Sequence, residues 1–269
     1  MRRTGFKRRW LAVTSALLCG SLSRHASAQT NDERPTPPVT WSHSVARVTE
    51  AGAYLPLSLF PEVGRTAALA AVSGGYDAAA KAPRFDSFAE ARVYGAFAAR
   101  VAVTSNERGE ALRPSVAGRA QFLDQQRHGV TAAVSLAYKA EGFTEPEGEI
   151  ETVLSVGRRF GRTLLIGNLI YGQDPEGRER DAEGTLACLV RLSTWAQLGV
   201  DGRGRFDLSS GSTTAASNEP RYAFDVGPVL SMAFGPLALS AHVGGSSLAR
   251  ADQNPRFGAL AIAGLGTAF

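Results

Sequence analysis

The most regular feature of the sequence is an alternation of apolar residues with small or polar ones. In residues 221–234, RYAFDVGPVLSMAF, one set of alternate positions runs from Tyr222 to Phe234 and is apolar, whereas the other set includes Asp225 and Ser231. Successive side chains of a β-strand point to opposite faces of the sheet, so this pattern predicts a strand with one apolar face. Strands of soluble proteins are usually about five or six residues long. The longer alternation is typical of a strand that crosses a membrane.

Similar segments recur from about residue 65 to the end of the chain, and two kinds of connection alternate between them. Short turns include RFGR around Gly161 and FGPL around Gly235, whereas residues 172–184 and 201–220 are long and polar. Short turns at one end and long loops at the other are typical of membrane-spanning β-barrels. The sequence therefore predicts an all-β protein that forms a closed antiparallel transmembrane β-barrel.

The same rule predicts twelve strands, or ten if residues 66–94 form a helix or a plug instead. Closure is expected because an open sheet would leave unpaired backbone groups in lipid. An even number leaves both ends of the chain on the short-turn side. The predicted strands are residues 66–77, 86–94, 97–105, 111–123, 129–141, 149–160, 163–173, 182–192, 195–204, 221–234, 237–246 and 256–269.

The polar faces of these strands carry charges of both signs, which we expect to point into the barrel lumen. In a barrel of this size, such side chains either pair and plug the interior or line a narrow wet channel. The residues assigned to the lumen are Arg100, Arg113, Arg119, Lys139, Glu141, Glu151, Arg159, Glu183, Arg191, Asp201, Arg203, Asp225 and His242.

The N-terminus has the layout of a secretory signal peptide. Five basic residues occur within the first nine positions, and an apolar stretch follows from Trp10 to about Cys19. Ala26 and Ala28 form the A-x-A pattern of a cleavage site, which predicts cleavage after residue 28. The apolar stretch is too short to span a bilayer as a stable helix.

Three parts of the chain are therefore distinguished. Residues 1–28 are assigned to the signal peptide and residues 65–269 to the barrel. Residues 29–64 begin with a polar, proline-rich stretch and are interpreted as a periplasmic N-terminal segment.

Cleavage would change the charge and the cysteine content of the chain. The first 28 residues hold six of the 29 Lys and Arg residues and none of the 25 Asp and Glu residues, so the mature chain has a net charge of about −2. This balance gives no reason to expect nucleic-acid binding. Cys188 alone remains after cleavage, which excludes a fold held together by intrachain disulfides.

The C-terminus carries a further signal. Phe269 ends a segment in which alternate positions are small or apolar, although Leu260 and Ile262 on the opposite face depart from the pattern. Together with the signal peptide and the strand pattern, this ending resembles the assembly signal of bacterial outer-membrane β-barrel proteins. The resemblance implies an outer-membrane location, contact with outer-membrane lipid, and recognition of the last strand by the barrel-assembly machinery. It leaves the oligomeric state open.

Candidate catalytic groups are few. His242 is predicted to face the lumen near the outer rim, where Ser246, Ser247 or Asp225 could approach it and form a Ser–His arrangement for lipid hydrolysis. A histidine that only fills the lumen is the simpler interpretation. No cofactor motif or metal-ligand spacing is present, so neither a cofactor nor a metal is expected.

These features favour a barrel without catalytic activity, either a narrow channel for small solutes or a structural, surface-exposed protein. A wide general porin needs about sixteen strands, and this chain is too short for that number. Two alternatives remain open at this stage. One is a barrel enzyme that acts on lipid at the outer rim, and the other is a soluble periplasmic β-rich protein that binds a small ligand.

Overall fold

The computed structural model describes residues 55–60, 68–106, 109–144, 147–175, 179–209, 220–250 and 254–268. Within these ranges the chain forms one short helix, α1 (Gln125–His128), and twelve strands. The strands are β1 (Ala68–Asp77), β2 (Ala82–Tyr94), β3 (Phe97–Ser105), β4 (Leu112–Leu123), β5 (Thr131–Ala140), β6 (Gly148–Phe160), β7 (Thr163–Gln173), β8 (Arg180–Arg191), β9 (Ala196–Asp207), β10 (Pro220–Phe234), β11 (Leu237–Arg250) and β12 (Arg256–Ala268).

The strands of the described residues form a closed antiparallel barrel. Each strand pairs with its neighbours in sequence, and β12 also pairs with β1. This architecture confirms the predicted all-β barrel of twelve strands and excludes the ten-strand alternative. The alanine-rich β1 pairs along both edges, so its backbone groups are satisfied by β2 and β12 despite the helix preference of alanine. No helix within the described ranges combines the length and apolar character needed to cross a membrane.

The two ends of the barrel differ in how the strands are connected. At the turn end, Gly161 and Gly235 adopt positive φ angles of 54° and 61° in tight turns, a conformation that glycine allows without strain. The opposite end is called the loop end. One loop-end connection is shorter than predicted, because β2 begins at Ala82 and only residues 78–81 join it to β1.

The alternation along each strand separates an outer face from the lumen. On β10, Val226 is 57% exposed on the outside, whereas Val229 is fully buried on the inside. The last strand follows the same rule, since Leu260 and Ile262 are buried in the lumen and Leu265 faces outward. The irregularity seen in the C-terminal sequence therefore comes from two apolar residues that fill the interior.

Exposed aromatic side chains form two bands around the outside of the barrel, with aliphatic residues between them. The band at the turn end contains Tyr94, Phe97, Phe122, Phe160, Trp195 and Phe234. The band at the loop end contains Tyr76, Phe85, Tyr138, Tyr171, Phe206, Phe224 and Phe257. Aromatic bands at two levels are typical of barrels whose outer surface meets both membrane interfaces.

Strands β10 and β11 approach each other closely at two glycines. A Cβ atom on Gly244 would lie 2.2 Å from the carbonyl oxygen of Val226, and one on Gly227 would lie 2.3 Å from the carbonyl oxygen of Val243. Real Cβ atoms do not approach backbone so closely, so any larger residue would force the two strands apart. Glycine at these positions therefore allows β10 and β11 to lie this close to each other.

We predict opposite outcomes for alanine at two adjacent positions of β11. Gly244→Ala should destabilise the barrel by about 1–3 kcal/mol, the usual cost of inserting a methyl group into a packed site. Gly245→Ala is the matched control, because a Cβ atom there would meet nothing within 4 Å. Urea titration of the folded, heat-modifiable band on a gel measures both variants. Equal midpoints for the two variants would contradict the close approach of β10 and β11.

Candidate functional site: the barrel lumen

One group of ion pairs lies at the loop end of the lumen, on β4, β5 and the start of β6. Arg113 contacts Glu141, and its Nη2 lies 3.8 Å from Glu149 Oε1. The Nζ of Lys139 lies 3.0 Å from Glu149 Oε1 and 2.8 Å from Glu151 Oε1. Each charge therefore has an opposite charge within reach, which compensates the loss of hydration inside the barrel.

A second group of ion pairs lies on β8 and β9. The Nε of Arg203 lies 3.1 Å from Glu183 Oε2, and the Nε of Arg205 donates to Asp181 Oδ2. The side chains of all four residues are largely buried. Glu183 had been assigned to the lumen-facing side of the predicted strand 182–192. Asp181 had been placed in the polar loop before that strand, but β8 begins at Arg180 and therefore includes it.

The turn between β1 and β2 is held by a buried carboxylate. Asp77 Oδ1 accepts hydrogen bonds from the backbone N–H groups of Ala79 and Ala80, both at 3.0 Å, and from Ser246 Oγ at 2.7 Å. Asp77 Oδ2 accepts a hydrogen bond of 2.6 Å from Arg84 Nη2. Arg84 had been predicted to lie in the connection between residues 77 and 86, but the structure includes it in β2, where it reaches the buried carboxylate.

This turn also folds into the loop end of the lumen. Ala79 and Ala80 are buried, and they form an apolar cluster with Ala82, Ala223 of β10 and Leu248 of β11. The turn therefore fills part of the loop end on the side of β10 and β11.

Residues 55–60, LPLSLF, lie inside the barrel and are called the strap. The backbone N–H of Leu57 donates to Asp201 Oδ2 over 3.2 Å, and Ser58 Oγ donates to Asp201 Oδ1 over 2.6 Å. Ser58 Oγ also lies 3.1 Å from Thr185 Oγ1. Asp201 is fully buried, so the strap supplies hydrogen bonds to a carboxylate that has lost its water.

The next strap residue pairs with an amide side chain. The N–H of Leu59 donates to Asn168 Oδ1, and its C=O accepts from Asn168 Nδ2, both over 2.8 Å. Thr185 Oγ1 donates to the same Oδ1 atom over 2.6 Å, which orients the amide. Asn168 thus binds both polar backbone groups of Leu59, as a neighbouring strand would.

The C-terminal end of the strap reaches a different wall of the barrel. Arg119 of β4 donates from Nη2 to the carbonyl oxygen of Phe60 over 2.5 Å. The same guanidinium lies 2.5 Å from Glu90 and donates to Ser135 Oγ over 3.2 Å, so its orientation is fixed. Because Asp201 is on β9 and Arg119 is on β4, the strap crosses the lumen between nearly opposite walls.

The strap was not anticipated from the sequence, which assigned residues 29–64 to a segment outside the barrel. Six of these residues lie within the barrel. The available signal is composition, since LPLSLF is apolar and ends eight positions before the first strand. Leu55 packs on an apolar part of the wall that comprises Leu164, Ile166, Ala187, Leu189 and Val229.

The structure places the predicted lumen charges on inward faces, with one of them in the connection after β5. Arg113, Arg119, Asp201, Asp225 and His242 are buried there. The half-buried residues are Arg100, Lys139, Glu141, Glu151, Arg159, Glu183, Arg191 and Arg203. Whether they line a conducting path stays a prediction.

The charges are distributed unevenly along the lumen. Near the turn end most inward-facing charges are basic, and they include Arg100, Arg119, Arg159 and Arg191. The guanidinium of Arg100 lies 3.7 Å from the centre of the Phe88 ring, which gives it an aromatic neighbour. The loop end contains both signs in the ion pairs described above. The inward-facing charges near the turn end are therefore mainly positive.

His242 lies elsewhere than the sequence suggested. It is the sixth of fourteen residues in β11 and is fully buried, so the predicted position near the outer rim is wrong. Neither ring nitrogen has a hydrogen-bond partner among the described residues. Ser246 donates to Asp77, and Ser247 lies on the outward-facing side of β11. The described residues therefore contain no Ser–His pair around His242.

Two further expectations concern metals and the terminal signals. Within the described residues, no group of three or more His, Cys, Asp or Glu side chains could hold a metal ion. Cys188 is half-buried on the outward-facing side of β8, between Leu186 and Val190. Ala26, Ala28 and Phe269 lie outside the described residues, so the cleavage site and the assembly signal stay predictions.

No protein-family model and no curated protein matches the sequence of this chain. Solved structures match its fold. A structure described as the NanC porin superposes with a TM-score of 0.50 at 12% identity, over 74% of this chain and 98% of that one. A structure described as the KdgM porin gives a TM-score of 0.52 at 8% identity, over 75% of this chain and 99% of that one. The described barrel has the fold of the bacterial outer-membrane β-barrel class.

Proposed function

We propose that this protein is an outer-membrane barrel that forms a narrow channel for small solutes. The observation that carries the proposal is the reversed polarity of the barrel. Leu186 is 67% exposed and Val226 is similarly exposed on the outside, whereas Arg119 and Asp201 are buried on the inside. A soluble β protein has the opposite arrangement, because it must hide apolar side chains from water. Lipid outside and a polar lumen inside satisfy both faces.

Several features support the outer membrane as the location and lipid as the partner of the outer surface. The two aromatic bands are separated by an aliphatic zone, as expected for a barrel between two membrane interfaces. The predicted signal peptide would carry the chain across the inner membrane. We propose that the barrel-assembly machinery recognises the C-terminal strand that ends in Phe269.

The channel is narrow because the protein itself occupies much of the lumen. The strap crosses from β9 to β4, and the turn at residues 78–81 fills part of the loop end. The rest of the lumen wall includes the charges of β3 to β6. Charged side chains in such a space retain water or counter-ions wherever their partners leave room. Small hydrated ions are the solutes that such a path would accept first.

A structural barrel that does not conduct is the second candidate. It is favoured by the pairing of Arg113, Lys139, Glu149 and Glu151, which neutralises charges that could otherwise attract ions. Current through the inserted barrel distinguishes the two candidates. The enzyme alternative loses its main support, because His242 has no serine partner within the described residues.

The membrane location predicts how strongly an outward-facing arginine destabilises the barrel at different depths. Leu186→Arg, near the middle of β8, should cost about 2–4 kcal/mol, whereas Leu192→Arg at the turn end should cost about 0–1 kcal/mol. Both leucines are exposed on the outer surface, so a soluble protein would tolerate both changes. Urea-induced unfolding in lipid vesicles measures the difference. Equal stability of the two variants would favour the soluble alternative.

The channel function predicts conductance steps when the mature protein is inserted in a planar bilayer. Arg159→Gln removes an inward-facing positive charge near the turn end, so the ratio of anion to cation permeability should fall. A unit charge roughly 7 Å from the ion in water changes the energies of an anion and of a cation by about 0.6 kcal/mol in opposite directions, so the ratio should fall by about sevenfold. The reversal potential under a salt gradient measures this ratio.

Arg158→Gln is the matched control for the permeability measurement. Arg158 is the preceding residue, but it faces outward and lies 4.4 Å from the centre of the Phe160 ring. Its replacement should leave the permeability ratio unchanged. An equal shift in both variants would mean that the lumen does not select the ions. A folded, inserted barrel without conductance would support the structural candidate instead.

A further inference from the structure

The contacts of the strap are directed mainly at its backbone. Asn168 binds the N–H and the C=O of Leu59, Asp201 accepts from the N–H of Leu57, and Arg119 donates to the C=O of Phe60. Backbone N–H and C=O groups occur in every peptide, so these contacts would form with many sequences. Peptide-binding domains that add an extended chain beside a sheet obtain affinity from backbone hydrogen bonds in a similar way.

Two contacts with strap side chains add selectivity. The hydroxyl of Ser58 lies between Asp201 and Thr185, where a small hydroxyl residue fits. Leu55 is almost completely buried against an apolar patch that includes Leu164 and Leu189. A suitable ligand therefore combines an apolar residue with a serine or threonine three positions later.

Two of the binding groups, Asn168 and Arg119, are held in place by residues other than the strap. Thr185 donates to Asn168 Oδ1, and Glu90 and Ser135 bind the guanidinium of Arg119. The side chains that bind the strap backbone, Arg119, Asn168 and Asp201, belong to β4, β7 and β9, three different strands of the barrel wall. A site that is oriented by the wall does not need the strap to define its shape.

We propose that this part of the lumen is a binding site for extended peptides, which the strap occupies as an intramolecular ligand. The site comprises Arg119, Asn168, Thr185 and Asp201, together with the apolar patch under Leu55. If the strap leaves, Asp201 loses its two donors, and Asn168 and Arg119 lose their hydrogen bonds to the strap backbone; an extended peptide with a small hydroxyl residue restores them. Peptide binding does not require the barrel to conduct, so the two proposals stand or fall separately.

The test uses the complete mature chain. Substitutions in the strap weaken its binding to the site, and the residues of the barrel wall are left unchanged. Ser58→Asp places a carboxylate next to Asp201, so like-charge repulsion should drive the strap from its site. Leu59→Pro is an independent strap variant, because proline has no N–H to donate to Asn168. Heat-modifiable migration on a gel identifies folded barrels. In the wild-type chain the tethered strap competes at an effective concentration of about millimolar.

The probe is a fluorescently labelled synthetic peptide with the sequence LPLSLF, and its binding in detergent is followed by anisotropy. We expect the Ser58→Asp variant to bind the peptide at least tenfold more tightly than the wild-type chain. Adding Asn168→Ala to that variant should weaken binding by about tenfold, as expected for lost hydrogen bonds to a buried site. Adding Ser231→Ala is the control, because Ser231 also faces the lumen but is not hydrogen-bonded to the strap.

Two methylated peptides test whether the backbone is recognised. Methylation of the nitrogen that corresponds to Leu59 removes the hydrogen bond to Asn168 and should weaken binding by about tenfold. Methylation of the next nitrogen, that of Phe60, is the control, because this N–H has no hydrogen-bond partner among the described residues. Equal affinities for the two methylated peptides would overturn the proposal.

Three other outcomes also test whether the strap site binds a free peptide. Equal affinity of the wild-type and Ser58→Asp chains would place the peptide outside the strap site, and absence of binding to both folded strap variants would exclude the site. If neither variant folds, the strap is an integral part of the barrel core rather than a displaceable ligand. Each of these results would overturn the proposal, whatever conductance the barrel shows.

Discussion

Backbone hydrogen bonds between β1 and β12, from Leu69 opposite Ala268 to Asp77 opposite Leu260, turn a sheet into a closed barrel. Closure leaves no strand edge with unpaired N–H and C=O groups, which lipid could not satisfy. It also creates a permanent inside and outside. Because side chains alternate along every strand, each residue is assigned to one of these two environments by its position in the pairing register.

The lumen then imposes its own condition on the side chains enclosed in it. Polar groups that lose water must find partners, and here those partners come from other strands, from the turn at residues 78–81 and from the strap. Asp77 binds that turn, and Asp201 binds the strap. Two buried carboxylates thus organise the segments that narrow the lumen. The same requirement explains both the charge pairs of the wall and the narrow path of the proposed channel.

Much of the fold could be predicted because its main signal is local. The alternation placed Asp225 and His242 on the inner face and Val226 on the outer face, and the structure has these orientations. The strap could not be predicted in this way. Its partners Asp201 and Asn168 lie 144 and 109 positions from Leu57 and Leu59, and the alternating leucines of LPLSLF do not indicate which strands the segment contacts. The depth of His242 also required the register between strands.

The sequence by itself determined the strand pattern and the face that each residue presents, because a period of two is a property of the extended backbone. Only the tertiary structure decided between ten and twelve strands, which charges pair, how deep His242 lies and what crosses the lumen. Those relations depend on the register and closure of all twelve strands, which bring Arg119 of β4 and Asp201 of β9 to the two ends of one short segment.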